Sequence, residues 1–455
     1  LSDEPVRARP DSVAYVVRTR SRAATKKHPV VSVILASVAA LLLAEFGGSR
    51  LDRRFNITPS FERLVIARFS RFVAPALPNV RLIVVQDETD LPGLARSVGV
   101  DPIPPGPRNW LRAVRGKLLS KLAESGARVV ALDYYWIDGT ETRFDEAVIR
   151  GARELGERGI PTVIGVATWV PRPNARPLLY PPFAQVMRTG CLAAWTKPTA
   201  PWYVQLAVCP TGGDVLPSLS LSAYAAACQP REPPKFEIDG GLDFVEVHYA
   251  GQTGQSEQID VTRVESQGDD DKTVQLSKGS VIAKYFIAVP PDEVLSSSTV
   301  DIGAALSFDG AAMRRQFAGK AIIIADQRSD RPDQHQYVDG RTIFGAAAQA
   351  VALDALMAKR PILGPRLLDL AGLYLDGQVL LDAILVVVAA LVGWFALRAR
   401  WRFVIIPLGL AIVVGACIAG YWRLGWLYSP WIPCLGFLIS FELSRLIHRI
   451  SSRHI

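Results

Sequence analysis

Hydrophobic patterning divides this chain into three kinds of sequence. Pro29 to Phe46 is apolar and carries no charge until Glu45, a run just long enough to cross a bilayer. After Leu368 come three more apolar stretches of spanning length, Val379–Leu397, Phe403–Trp422 and Leu424–Leu443. Between these regions, short valine- and isoleucine-rich runs alternate with amphipathic ones. The short runs are flanked by turn residues and predict buried strands at Arg81–Val85, Val129–Leu132, Thr162–Thr168 and Ala321–Ala325. Phe236–Ala250 and Val281–Val289 also read as strands. A helical period predicts helices in the segment FERLVIARFSRFV, at Asn109–Ser125, from Asp145 through Ala147 to Arg158, and at the alanine-rich Phe344–Lys359. Pro217 followed by SLSLSAYAAAC predicts a helix with proline in its first turn. Leu179–Pro234 otherwise carries no clear period, and QTGQSEQIDVTRVESQGDDDK reads as a polar loop or exposed hairpin.

Strands alternating with helices define the fold class, an α/β domain with a mostly parallel sheet. One N-terminal and three C-terminal transmembrane helices flank it. The expected division is a basic tail over 1–28, a transmembrane helix over 29–46 and a folded domain over 47–377. Three transmembrane helices over 378–443 and a second basic tail over 444–455 complete it. A cleaved signal peptide is the rival reading of the first span. Against it, the basic lead-in is long, and Glu45, Phe46 and their successors make a poor small-residue cleavage site.

Composition agrees with a polar domain carried by a few spans: 49% of residues are hydrophobic and mean hydropathy is +0.20. A net charge of +8 suggests nucleic acid at first sight, but the charge sits beside the apolar stretches and points to membrane lipid instead. Lys26 and Lys27 precede the first span, Arg398, Arg400 and Arg402 separate the second from the third, and Arg445, Arg449 and Arg453 end the chain. The positive-inside rule puts all three clusters, and both termini, in the cytoplasm and the large domain outside. Trp422, Trp426, Tyr428 and Trp431 form an interfacial belt.

The candidate chemistry is a cleft. Asp87, Asp133 and Asp326 each follow a predicted parallel strand, the edge where open sheets hold ligands. Asp145 and Asp333 lie just beyond two of these strand ends, and Arg108 balances the charge or binds an anionic ligand. The competing reading is that the aspartates cap helices and bind loop amides. No nucleophile elbow, phosphate loop, HExxH or dinucleotide fingerprint is present, so neither an enzyme nor a cofactor is expected. No metal site is expected either: Asp269, Asp270 and Asp271 lack the ligand spacing of a calcium loop. His335 reads as an exposed loop residue. Cys191, Cys209 and Cys228 allow one disulfide and a spare thiol, or three buried free thiols, while Cys417 and Cys434 read as packing residues. Asp382 and Glu442 lie near span ends, which argues against an ion pathway. Ala411, Gly415 and Ala419 recur every four residues and suit either a homodimer or bundle packing.

The stretch GARVVALDYYWIDGTETRFDEAV resembles the core of the CHASE domain, type 2, a cyclase/histidine-kinase-associated sensory extracellular domain. RLIVVQDETD from Arg81, GPRNWLRAVRGKLLSKL from Gly106, GKAIIIADQRSDRPDQ from Gly319 and FGAAAQAVALDALMA, which contains Gly345, follow the family's order. The resemblance covers roughly Leu51 to Leu368. It implies a bacterial inner-membrane sensor with a periplasmic domain that detects a small ligand and passes a signal through its helices. Members of the family usually continue into an output domain. This chain stops shortly after its last span, so a separate cytoplasmic output protein is expected. The alternative is a structural or docking subunit of a membrane complex.

Overall fold

A computed structural model describes residues 29–453, except 56, 74–75, 105–107, 168–178, 193–202, 211–212, 230–231, 240–243, 250–255, 267–279, 331–332, 338, 364–366, 371–372 and 396–401. The chain folds into two compact units. The larger comprises Arg63–Gly364 with Tyr421–Leu427; the smaller draws on Leu1–Glu62, Pro365–Gly420 and Tyr428–Ile455.

The larger unit is built on six parallel strands: β1 (Val80–Val85), β2 (Val129–Tyr135), β3 (Thr162–Ala167), β4 (Arg188–Leu192), β5 (Thr299–Asp301) and β6 (Ala321–Asp326). Their order is β5-β1-β6-β2-β3-β4, with every neighbouring pair parallel. The central strands are apolar almost without interruption because both faces are covered. Ile83, Val85, Val130, Leu132, Ile322 and Ile324 are buried in one core with Val114, Leu118 and Leu122 of the Leu111–Leu122 helix and Val148 of the Thr142–Glu157 helix. The Leu219–Cys228 and Gly345–Met357 helices pack against other parts of the same sheet and against each other. Their alanines allow that close approach, and Ser220 donates its hydroxyl to the Gln349 carbonyl at 2.9 Å.

Two glycines fix the first helix pair. A Cβ on Gly116 would overlap the Ala147 backbone, and one on Gly151 would overlap the Gly116 carbonyl. Backbone cannot swing aside as a side chain can, so Gly116→Ala is expected to cost about 1–3 kcal/mol through overpacking, read as a lower thermal midpoint. Gly156, whose added Cβ meets nothing within 4 Å, is the control: Gly156→Ala should not lower the midpoint.

Several expectations need correction. Phe236–Ala250 is two antiparallel strands, Lys235–Asp239 and Phe244–His248, rather than one. Ser256–Asp260 adds a third strand to this pair, whereas Arg263–Ser266 joins Val281–Phe286 in a different sheet, so the two do not form a hairpin with each other. Asp269, Asp270 and Asp271 lie outside the described residues. Pro217 precedes the Leu219–Cys228 helix rather than entering its first turn; Ser218 caps it by accepting from the Leu221 amide at 3.1 Å. Cys191, Cys209 and Cys228 are all free, and only Cys191 is buried.

The smaller unit is mainly helical, with one antiparallel strand pair, Leu367–Leu370 and Leu373–Asp376. The Pro29–Leu42 helix continues through a π-helical segment, Leu43–Gly48, into Ser49–Phe55. The Gly377–Phe395, Arg402–Leu424 and Trp431–Arg453 helices follow later in the chain. Ser440 and Ser444 donate to the Val386 and Ala390 carbonyls at 2.8 Å each, and Gly393 admits the Phe441 backbone. Among the described residues, two helical segments are long and apolar enough to cross a membrane, Val33–Asp52 and Phe403–Leu424. Leu380–Gly393 is apolar but shorter. The stretch expected as the last span, Leu424–Leu443, is broken: Leu424 ends the preceding helix and the next begins only at Trp431. Gly425 adopts φ +68° and Leu427 donates its amide to Leu363, which keeps the chain before Pro430 out of a helix.

Candidate functional site

The carboxyl edge of the parallel sheet gathers most of the unit's buried charge. Pairing between β2 and β3 slips there: Leu132 stands opposite Ile164 and Tyr135 opposite Gly165. Asp133 and Tyr134 are left without partners on β3, an irregularity of the kind that re-aims side chains at sheet rims. Burial raises the Asp133 carboxyl to about 8, and the nearby Asp333 carboxylate adds to the rise. The Tyr134 hydroxyl is pushed to about 12, chiefly by burial, with Arg115 opposing and Asp326 and Asp133 adding to the shift. The Arg115 guanidinium lies 3.9 Å from the centre of the Tyr134 ring, and its Nε finds no acceptor among the described residues.

Asp326, at the end of β6, is held by Arg328 through two hydrogen bonds, Nε to Oδ1 at 2.8 Å and Nη2 to Oδ2 at 2.6 Å. Arg328 is only 2% exposed, so the pair is a fixed internal ion pair. Asp333 sits beside the start of the Gly345–Met357 helix. Its carbonyl accepts from the Gly345 amide at 3.1 Å, and a Cβ on Gly345 would run into its carboxylate. The His335 Nε2 lies 3.2 Å from Asp333 Oδ1, so His335 is a half-buried neighbour of the acid rather than an exposed loop residue.

The other three candidates have different local roles. Asp145 is 4% exposed and fully engaged: it accepts from Arg112 Nη1 at 2.7 Å, the Thr140 amide at 2.6 Å and the Thr140 hydroxyl at 2.8 Å. Arg112 also donates twice to the Asp138 carbonyl at 3.0 Å and stacks 4.9 Å from the Trp136 ring centre. This cluster pins the loop that leaves β2. Asp87 accepts from the Ser329 amide at 3.1 and 3.2 Å and so fastens the loop after β6. Arg108 is partly exposed and reaches Asp330 at 3.9 Å. Asp333 therefore acts electrostatically on Asp133, and Asp326 on the adjoining Tyr134, while Asp145 and Asp87 bind the loops around them.

Sequence reading missed Arg112 and Arg115 as parts of this edge. A signal was present: Arg115 occupies the helical stripe Leu111, Arg115, Leu118, Leu122, where an arginine stands among leucines that face the core. A broad groove of about 1150 Å³ opens elsewhere, lined by Thr162, Arg188, Asp214, Lys235 and Glu237. It lies at the amino ends of β3 and β4 and gathers none of the six candidates.

The parallel sheet, with acids and arginines at its carboxyl edge, belongs to a chain that has an apolar helix of spanning length towards each end. The CHASE2 domain model matches residues 30–392, most of the chain, and the protein belongs to that family. CHASE2 domains are sensory extracellular domains. Comparison with curated proteins and with solved structures finds no match.

Proposed function

We propose that the chain is a non-catalytic, membrane-anchored sensor whose extracytoplasmic domain binds a small cationic or hydrogen-bond-donating ligand at the Asp133–Asp333 edge. A separate cytoplasmic partner would receive the signal through the helices. The observation that carries this reading is the buried Asp133 carboxyl at the slipped end of β2, on which the Asp333 carboxylate also acts. Burial holds the proton on Asp133 near neutrality, and repulsion from the Asp333 carboxylate adds to the effect. A bound ammonium or guanidinium group would replace that proton and relieve the repulsion. The basic clusters support one span before the domain and three after it, with both termini in the cytoplasm.

The test is a thermal-shift screen of the full chain in detergent against small amines, guanidines and polyols. A ligand that binds only the folded state raises the melting temperature. The expected hit raises it in the wild type, loses that effect in Asp133→Asn and Asp333→Asn, and releases a proton on binding at pH 7. No hit in a well-folded chain, or a hit indifferent to both substitutions, rejects this site. A docking subunit would then be the better reading.

A further inference from the structure

A second cluster lies on the antiparallel sheet, away from the carboxyl edge. Glu237 and Glu246 stand directly opposite each other on neighbouring strands, and His248 is two residues beyond Glu246 on the same face. Like charges directly across a strand pair repel. Nothing in the strand pattern requires the arrangement, because the opposite face, with Val245, Val247 and Ile259 buried, supplies the packing. Among the described residues, the cation paired across these two strands on this face is Lys235, opposite His248.

The geometry departs from a simple ion pair. His248 Nε2 is 3.6 Å from Glu237 Oε2 and 3.8 Å from Glu246 Oε2, both beyond hydrogen-bonding distance. That nitrogen is shut off from solvent and has no hydrogen-bond partner among the described residues, although the rest of the ring is partly exposed. One ligand atom from each residue lies within 4.8 Å of the other two. Zinc holds imidazole nitrogen and carboxylate oxygen at about 2.0–2.2 Å, and a tetrahedral angle then separates two ligands by about 3.4 Å. Both observed separations approach that spacing from above.

We propose that Glu237, Glu246 and His248 form a divalent transition-metal site, with zinc as the ion tested first. One imidazole and two carboxylates suit a borderline cation better than calcium or magnesium, which take all-oxygen shells. Three protein ligands leave a position open. Glu237 also lines the broad groove at the amino ends of β3 and β4, so the ion stands at its rim. The site is independent of the carboxyl edge, and neither reading needs the other.

The experiment uses the untagged full chain in detergent, stripped with chelator and titrated with Zn²⁺ by calorimetry, then with Co²⁺ by absorption. The expected result is one saturable Zn²⁺ site and a Co²⁺ spectrum without a thiolate charge-transfer band. His248→Ala and Glu246→Gln should each weaken binding at least about tenfold while keeping the metal-free melting temperature. Gln258→Ala, opposite Glu246 on the third strand, should bind as the wild type does. No saturable binding, or binding unchanged in both ligand variants, overturns the proposal. A Co²⁺ thiolate band that survives in both variants also overturns it and assigns the metal to cysteine.

Discussion

Asp145→Ala is expected to destabilise the folded chain by about 3–5 kcal/mol, and Arg112→Ala by a similar amount, as read from chemical denaturation. Removing one partner of a buried ion pair strands the other in a low dielectric. Both residues here are less than a tenth exposed. Deleting Asp145 leaves the Arg112 guanidinium facing only the Asp138 carbonyl and two aromatic rings, and it frees the Thr140 amide and hydroxyl. Replacing both partners with well-packed apolar residues should cost less than either single change, because no charge is then left uncompensated. The exposed Glu141–Arg143 pair is the control. Its side chains are 59% and 60% exposed, and Glu141→Ala should change stability by less than about 1 kcal/mol. If Asp145→Ala costs no more than Glu141→Ala, the cluster does not pin the loop after β2.

Asp133 sets the second large effect, and its sign is opposite to that of an ordinary surface acid. The folded chain holds the Asp133 proton up to about 8, whereas the unfolded chain releases it near the ordinary value of 3.8. Between these values the native state binds more protons than the unfolded state. The stabilising contribution is therefore complete below about pH 4 and is lost as pH rises through 8. The loss runs at up to about 1.4 kcal/mol per pH unit inside that window. Asp133→Asn cannot ionise. It should flatten the profile and exceed the wild type in stability at pH 8 by up to a few kcal/mol. Denaturation at pH 5, 6.5 and 8 measures this directly. A wild-type profile no steeper than that of the variant would mean that Asp133 is ionised and solvated.

The sheet was legible where the chain is most monotonous. Val80–Val85, Val129–Tyr135, Thr162–Ala167 and Ala321–Asp326 appear in sequence as valine- and isoleucine-rich runs because strands covered on both faces need no polar alternation. The edge strands did not appear. RTGCL at 188–192 is short and polar at one end, and β5 has only three residues, so neither fills a window in which periodicity can be counted. The same contrast runs through the site. Acids at strand ends are visible because position alone marks them. Their partners are not, since Arg112, Arg115 and Arg328 are buried by tertiary packing against a residue type that is usually exposed. Position also did not separate Asp133, whose proton burial retains, from Asp145, which is fully bonded. That distinction rests on the guanidinium of Arg112, supplied by the preceding helix.

The strand order has a consequence for how this domain comes into being. β6 lies between β1 and β2, yet its first residue, Ala321, follows the end of β2 by more than 180 positions. While the chain is being made, two apolar strands must therefore wait with facing edges open until the middle of the sheet arrives. The closure is long-range, so its entropy is lost before the contacts that reward it are made. The half-made sheet exposes the kind of unpaired edge that recruits other chains. Truncation anywhere before Ala321 thus removes the keystone and leaves the flanking strands with nothing between them.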